Sequence, residues 1–170
     1  MKKLLALPLL AFLMMGCATR AGRGNNNQGG GNGGSSGGST DYGETITVDE
    51  MIEIVSKLAD NGITDKEYTV TGVLGDSRYN SDHNSYNCYF KNHMKADSVP
   101  VYIYSGVLDS SISGDYTAEN ALAGKTVVVK GYLEKFVNSK TNTVTYEIPY
   151  LNATLSPTGA AYSPTILSVK

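Results

Sequence analysis

The stretch that decides the fold is Thr126-Val127-Val128-Val129-Lys130-Gly131-Tyr132-Leu133-Glu134-Lys135-Phe136-Val137. It is rich in β-branched and aromatic residues, which is typical of a strand, and Gly131 interrupts it near the middle. A second strand-like segment, Tyr68–Leu74, has the same pattern with Gly72 inside it. A glycine within a strand indicates a bulge or a sharp bend. Two such strands predict a small sheet that curls on itself.

A short amphipathic helix is predicted ahead of these strands. Thr47 and Glu50 have the spacing of a capping box, in which each side chain reaches the backbone of the other residue. Asn61-Gly62 supplies a left-handed exit. Between these signals the apolar residues recur at helical spacing, which predicts a helix of about twelve residues. Its apolar positions are Val48, Met51, Ile52, Val55, Leu58 and Ala59.

The rest of the domain is predicted to be β-structure. Gly75–Ser85 is polar and predicts a long loop, and the looser segment Ser105–Gly124 predicts one helical turn at Thr117–Leu122. Asn138–Asn142 predicts a hairpin turn. Four further segments have the composition of strands: Tyr86–Phe90, Val99–Tyr104, Thr143–Ile148 and, as a short last strand, Ile166–Val169.

Five main strands, two of them with central glycines, predict a five-stranded oligonucleotide/oligosaccharide-binding (OB) barrel. Closing a sheet into a barrel removes its exposed edges, and glycine bends allow one strand to serve both sides of it. A small β-sandwich is the alternative. In both cases the fold class is all-β with one N-terminal helix.

Four segments of the domain also form a recognisable order of residue types. They are Thr47–Met51, Tyr68–Val73, Val101–Tyr104 and Gly124–Leu133. Over about Thr45–Leu155 this order resembles the OB-fold lipoproteins of Bacteroides-like gut bacteria. Lys125 departs from the pattern, because an acidic residue often follows the glycine in that family. The resemblance implies the barrel and a lipid anchor, and it implies no particular activity.

The first sixteen residues predict a lipoprotein signal peptide. Lys2 and Lys3 precede the apolar run Leu4–Met15, and Gly16 stands immediately before Cys17. As a helix this run spans roughly 18 Å, well short of the about 30 Å of bilayer hydrocarbon. The order of charged, apolar and small residues predicts cleavage before Cys17 and lipidation of its thiol. An ordinary signal peptide followed by an unrelated cysteine is the alternative.

Residues 17–43 predict a flexible tether that begins with the lipidated cysteine. Ten glycines lie between Gly22 and Gly43, interspersed with asparagine and serine. Such a stretch has no apolar surface to bury and is expected to stay a random coil. Its mean reach of about 25–30 Å would hold the domain clear of the lipid headgroups. The folded domain is then expected at residues 44–170.

The predicted domain is acidic. Residues 44–170 carry ten Lys and Arg side chains against fifteen Asp and Glu, a formal charge of −5. A domain that neutralises phosphates is expected to be basic. Nucleic acid is therefore a disfavoured partner, although a single-stranded nucleic acid is the alternative ligand for an OB barrel.

No set of residues in the sequence has the spacing of a catalytic or metal-binding motif. His83 and His93 lack metal-ligand spacing, and neither a nucleophile elbow nor a phosphate loop is present. Arg78 is the only arginine of residues 44–170, which argues against the calcium-dependent nuclease chemistry that OB barrels can host. The polar segment from Asp76 to Asn84 lacks the glycine and glutamate of a calcium loop. We therefore expect a non-catalytic protein without metal or cofactor.

Tyrosine is the abundant aromatic residue, with twelve copies against three phenylalanines and no tryptophan. Strand alternation predicts that Tyr86, Cys88 and Phe90 face the core, so that Cys88 is a buried hydrophobe rather than a nucleophile. The intervening residues then face outward, where OB barrels bind ligands. Alternatively, these rings cover the barrel against the tether or the C-terminal segment. The candidate ligand-binding residues are Asn87, Tyr89, Lys91, Tyr102 and Tyr104.

These features predict a lipid-anchored, extracytoplasmic binding or adaptor domain that meets the membrane through Cys17. A surface of aromatic, amide and ammonium groups suits a glycan, a peptide or an envelope protein. Ala18-Thr19-Arg20 follows the cysteine without an acidic export tag. In a Gram-negative cell the expected location is therefore the outer membrane, facing the periplasm.

Overall fold

The domain is mostly β-structure with one helix, as the sequence predicts. A computed structural model describes residues 44–94 and 98–170, with 43% of the residues in strands and 7% in helix. Cys17, the signal peptide predicted at residues 1–16 and the tether predicted at residues 17–43 lie outside the described residues. No helix in the described ranges is long and apolar enough to cross a membrane.

One helix and eight strands follow one another along the described residues. In chain order they are β1 (Thr45–Thr47), α1 (Val48–Ser56), β2 (Tyr68–Asn80), β3 (Ser85–Phe90), β4 (Val101–Leu108), β5 (Thr126–Gly131), β6 (Glu134–Val137), β7 (Val144–Ile148) and β8 (Thr165–Val169). The short last strand expected near the C-terminus is therefore present as β8.

The strands join in a sheet that closes partly into a ring. β2 pairs antiparallel with β3 and β5, and β3 pairs antiparallel with β4. β4 pairs in parallel with β7 near its start and with β8 near its end, and β8 pairs antiparallel with β5. β6 and β7 form an antiparallel hairpin, and β1 adds to β2 in parallel. Backbone pairing therefore runs from β2 through β3, β4, β8 and β5 back to β2.

The capping box at the start of α1 is confirmed. The Thr47 N–H donates to Glu50 Oε2 (2.7 Å), and the Glu50 N–H donates to Thr47 Oγ1 (3.3 Å). The helix buries Met51 and Val55, which lie one turn apart on its apolar face. These contacts place α1 against the sheet at the residues that the sequence predicted.

The helix ends earlier than the sequence predicts. It stops at Ser56, after nine residues rather than about twelve. Asn61 does take the predicted left-handed conformation (φ 57°), but in the chain that follows the helix. Its N–H donates to the Lys135 carbonyl (2.7 Å), and its Oδ1 accepts the Val137 N–H (3.0 Å). Attachment of this turn to β6 therefore ends the helical path before Asn61.

Two strand glycines provide room for close packing. A Cβ at Gly72 would lie 2.6 Å from Val48 Cγ2 at the start of α1. No bulge interrupts the pairing of β2 with β5 at this glycine, because the register is unbroken across it. A Cβ at Gly131 would lie 2.5 Å from Ile148 Cγ2. The single strand predicted over Thr126–Val137 divides just after Gly131 into β5 and β6. Both positions thus require glycine because neighbouring side chains occupy the space of a Cβ.

The prediction of a long loop over Gly75–Ser85 is wrong. β2 continues to Asn80, and only the turn at residues 81–84 separates it from β3. The register of β2 against β3 shifts between Leu74 and Asp76, which marks a bulge near Gly75. The polar character of this segment arises because alternate side chains of β2 face outward into solvent.

The helical turn predicted at Thr117–Leu122 is also absent from the described structure. This segment forms successive turns, in which the Ala121 N–H donates to the Ala118 carbonyl (3.2 Å) and the Ala123 N–H donates to the Asn120 carbonyl (2.9 Å). The segment is attached to β2, because the Asn120 N–H donates to the Ser77 carbonyl (2.9 Å).

Candidate ligand-binding face

Five side chains on adjoining strands share one register across the outer face, and we call them the outer row. Strand pairing puts Asp76 of β2 beside Tyr89 of β3, and Tyr89 beside Tyr102 of β4. Tyr102 pairs with Glu147 of β7, and Glu147 pairs with Glu134 of β6. The outer row therefore consists of two adjacent tyrosines with carboxylates at both ends.

The two tyrosines of the outer row form a continuous aromatic surface with Tyr104. The ring centroids of Tyr89 and Tyr102 lie 4.5 Å apart with an interplanar angle of 41°, and those of Tyr102 and Tyr104 lie 6.1 Å apart at 31°. Tyr89 and Tyr102 are half-buried, whereas Tyr104 is 44% exposed. The three tyrosines that were predicted to share a face therefore do so, and part of their surface stays open to solvent.

Burial keeps the central tyrosine of this surface in its neutral form. It raises the pKa of the Tyr102 hydroxyl far above its ordinary value, and the neighbouring Tyr89 and Glu147 raise this pKa further. A neutral phenol ring keeps a negative face that attracts cations. Tyr102 therefore offers an aromatic ring and no phenolate charge.

Glu134 and Glu147 bring two carboxyl groups to one edge of the aromatic surface. Burial, followed by the charge of Glu134, raises the pKa of Glu147 to about 7. Burial also raises the pKa of Glu134. Within residues 44–94 and 98–170, none of the salt bridges involves either carboxyl group. Two partly desolvated carboxyl groups side by side favour the uptake of a proton or the approach of a cation.

Asn87 has a structural partner within the protein. Its Oδ1 accepts the Ser105 N–H (2.9 Å). Ser105 has a positive φ of 55°, which is uncommon for a residue other than glycine, and it lies where the pairing of β3 with β4 shifts register. Asn87 therefore holds a bulge of β4 in place, and its amide oxygen is already engaged.

Lys91 lies at the margin of the aromatic surface. It follows the last residue of β3, is exposed, and lines a hollow of about 580 Å³ together with Leu74 and Met94. Tyr104 lines a different hollow. Of the five candidate residues, the structure brings the three tyrosines into contact, assigns Asn87 a role in backbone geometry and leaves Lys91 at the border.

The sequence analysis missed Glu134 and Glu147. A signal for them was present, because residues at equal distances from a hairpin turn pair with each other. The predicted turn at Asn138–Asn142 is confirmed by the Asn138 N–H, which donates to the Thr143 carbonyl (3.0 Å). Counting outward from that turn pairs Glu134 with Glu147, and strand alternation places Glu147 on the outer face.

Among the described residues, the cysteine and the two histidines do not come together at one site. Cys88 is fully buried, and burial raises the pKa of its thiol to about 12, so the predicted buried hydrophobe is confirmed. His93 Nε2 lies 3.9 Å from Asp49 Oδ1, and His83 lies in the exposed turn before β3. Among the described residues, no group of three or more His, Cys, Asp and Glu side chains could hold a metal ion.

No protein-family model matches the chain, and no curated protein matches it. Its function must therefore be inferred from the chemistry of its own surface.

Proposed function

We propose that this chain is an exported lipoprotein, anchored through Cys17, whose OB barrel is a non-catalytic binding and adaptor domain. Of the ligand classes expected from the sequence, the outer row favours a basic peptide segment of an envelope protein. The observation that carries this choice is the position of Tyr102 between the ring of Tyr89 and the carboxyl groups of Glu147 and Glu134.

The pairing of the strands supports the barrel assignment. β2, β3, β4 and β7 are paired in that order, and β6 follows as the partner of β7. β5 pairs with β2 and continues into β6 after two residues. If β5 and β6 are one bent strand, the order describes a five-stranded barrel of the OB type. The small β-sandwich is the alternative that this bend disfavours.

A lysine or arginine side chain satisfies both features of the outer row. The tyrosine rings attract a cation through their negative faces, at about 0.5–2 kcal/mol for each contact. The adjacent carboxylates attract the same charge, more strongly than exposed groups would because they are partly desolvated. Lys66 already lies over a tyrosine ring of this domain, 4.9 Å from the centroid of Tyr68. A basic segment would thus pair the two unneutralised glutamates of the outer row.

The same charges disfavour the alternative ligand, a single-stranded nucleic acid. Three carboxylates flank the tyrosines, and Arg78 is the sole arginine of the domain. Bases could stack on the rings, but their phosphates would approach Glu134 and Glu147. Salt weakens both modes of binding, so the sign of the ligand charge is what discriminates between them.

The test uses the full-length lipoprotein in a zwitterionic detergent. The probes are a ten-residue lysine/arginine peptide, an acidic peptide of the same length and an oligothymidylate. We expect binding of the basic peptide alone, a loss of about tenfold in affinity for Tyr102→Ala, and a similar loss for Glu147→Gln. Glu119→Gln, on an exposed turn outside the outer row, is the matched control and should bind as the parent does.

Affinity should also depend on pH through Glu147. A cation binds the ionised carboxylate, so affinity for the basic peptide rises as the pH passes through about 7, the pKa of this group. Isothermal calorimetry in two buffers of different ionisation enthalpy should register proton release at pH 6.5. Preference for the oligothymidylate, or equal affinity for Glu147→Gln and the parent, would remove the proposal.

The lipid anchor and the cellular location of the domain are tested separately. Cys17→Ser should abolish palmitate labelling and leave the precursor uncleaved or mislocalised, because lipid transfer to this cysteine precedes cleavage. Labelling that persists in this variant would contradict the assignment. Protease treatment of intact cells should spare the domain if it faces the periplasm of a Gram-negative cell, and prompt digestion would place it on the surface.

A further inference from the structure

A second hollow of about 320 Å³ borders the aromatic surface at Tyr104 and Ser105, in the middle of β4. Its size falls in the range of small-molecule sites. It is lined by His83, Ser85, Tyr104, Ser105, Tyr150 and Ser163. These residues come from four parts of the chain, and the lining includes no Asp, Glu, Lys or Arg. Five of the six carry a hydroxyl group.

The bulge of β4 presents two of these residues. The register of β3 against β4 shifts between Tyr86 and Cys88, so Tyr104 and Ser105 together face the single residue Asn87. Asn87 Oδ1 holds the Ser105 N–H at 2.9 Å. Strained residues and bulges of this kind occur next to binding sites, where they redirect side chains. The candidate residue Asn87 thus holds the bulge that carries Tyr104 and Ser105 of this hollow.

An antiparallel bridge brings together Tyr150 and Ser163, two further residues of the lining. The Leu151 N–H donates to the Tyr162 carbonyl (2.9 Å), and the Tyr162 N–H donates to the Leu151 carbonyl (2.8 Å). The residues flanking such a pair lie opposite each other, which places Tyr150 beside Ser163. Tyr150 is 40% exposed, so its ring is accessible from the hollow.

Ser85 supplies an observation that points to a ligand. It shares the outward phase of Asn87 and Tyr89 in β3, yet it is only 2% exposed. Its Oγ is one of two buried side-chain oxygens for which the described residues provide no hydrogen-bond partner. A buried hydroxyl without a partner is costly to the fold, and a hydroxyl-bearing ligand in the hollow can satisfy it.

We propose that this hollow binds one or two neutral sugar residues of a glycan. Tyr104 and Tyr150 offer ring faces to the apolar face of a pyranose, and Ser85, Ser105 and Ser163 offer hydroxyl partners. A lining without Asp, Glu, Lys or Arg favours an uncharged ligand, because a charged group would lose hydration without gaining a counter-charge from these residue types. This site shares Tyr104 with the aromatic surface, but it does not depend on the basic-peptide proposal, because none of the five residues of the outer row lines it.

The experiment titrates the full-length protein, in a detergent without a sugar headgroup, with maltose, cellobiose and N,N′-diacetylchitobiose. Saturation-transfer NMR identifies the disaccharide that binds, and a titration gives its Kd. We expect Tyr150→Ala to weaken that disaccharide about tenfold, which is the size of one stacking contact. Phe136→Ala removes an exposed ring of β6 outside the hollow and is the matched control. It should bind as the parent does.

A second variant separates ligand binding from folding. Ser85→Ala removes a hydroxyl that no described residue uses, so the variant should stay folded while its sugar affinity falls at least threefold. A Kd above about 10 mM for all three disaccharides, with the protein folded, overturns the proposal. So does sugar binding that Tyr150→Ala and Ser85→Ala leave unchanged.

The basic-peptide proposal and the sugar proposal can be refuted independently of each other. Tyr150→Ala should keep its affinity for the basic peptide, and Glu147→Gln should keep its affinity for the sugar. Sugar binding without peptide binding refutes only the basic-peptide function, and the reverse result refutes only the hollow.

Discussion

Two neighbouring rows of side chains cross the same strands and differ in burial, in hydrogen bonding and in charge. The inner row is Ser77, Cys88, Ile103 and Ile148, and the outer row is one register step away. The inner row is sealed: its three apolar members are fully buried, and Ser77 Oγ accepts the Leu122 N–H (3.0 Å). The outer row combines half-buried rings with two glutamates that no described cation neutralises.

The difference shows how one backbone separates a packed face from a face with unpaired charges. Alternate residues of a strand point to opposite faces, so a shift of one position changes the environment completely. On the inside, each group is packed or hydrogen-bonded, and a change there costs folding free energy. On the outside, charge and ring surface are left without partners, and a change there should alter binding or even increase stability. Four experiments on variants test this division.

The largest effect is expected from Ile103→Ala in the inner row. Deleting a fully buried isoleucine side chain leaves a cavity and should lower the free energy of unfolding by about 2–5 kcal/mol. Urea denaturation measures it. Tyr104→Ala, at the next position on the outer side, should cost less than about 1 kcal/mol. Equal losses for the two variants would mean that the two faces are not distinct.

Glu147→Gln in the outer row should have the opposite sign. Because the folded pKa of Glu147 is raised to about 7 from its ordinary value of 4.5, the folded state binds the proton more tightly than the unfolded state. Its contribution is present below pH 4.5 and is lost as the pH rises through 7. At pH 8 the variant should be more stable than the parent by on the order of 2 kcal/mol.

The dependence of the unfolding free energy on pH tests Glu147→Gln more stringently than a measurement at one pH. Denaturation at several pH values should show stability of the parent falling between pH 4.5 and pH 7 relative to Glu147→Gln. The two curves should meet near pH 4. The exposed Glu119→Gln substitution serves as the control for loss of a carboxylate. A parent that is more stable than Glu147→Gln at pH 8 would mean that the carboxylate has a cationic partner in the folded protein.

Two buried serines provide a matched pair. Ser77→Ala leaves the buried Leu122 N–H without its acceptor and should destabilise the domain by about 1–2 kcal/mol. Ser85→Ala removes a hydroxyl that lacks a partner among the described residues and should raise stability by up to about 1 kcal/mol. Thermal melts of both variants decide the comparison. A destabilised Ser85→Ala would assign that hydroxyl a structural role.

The smallest effect is expected from Tyr102→Phe. The ring and its contact with Tyr89 are kept, so stability should change by less than about 0.5 kcal/mol. Affinity for the basic peptide should also hold, because a cation interacts with the ring face rather than with the hydroxyl. Isothermal calorimetry with the basic peptide measures it. A tenfold loss in this variant would assign the contact to a hydrogen bond from the phenol.

Several local features could be predicted from the sequence because neighbouring residues determine them. The capping box needs only Thr47 and Glu50, three positions apart, and it formed as predicted. The hairpin at Asn138–Asn142 and the inward phase of Cys88 likewise follow from turn residues and strand alternation. The loop predicted over Gly75–Ser85 failed because polarity was taken as a sign of a loop, whereas it marks the outer face of β2.

The sequence by itself determined which residues alternate, which segments turn, that residues 44–170 carry excess negative charge, and that tyrosines would share the outer face. Only the tertiary structure decided which strands are neighbours. That choice brought Glu147 beside Tyr102, opened the bulge at Ser105 and brought Tyr150 and Ser85 to one hollow. The physical reason is that alternation and turn chemistry act within a few residues, whereas these features join positions 18 to 65 residues apart. Their register depends on packing of the whole core.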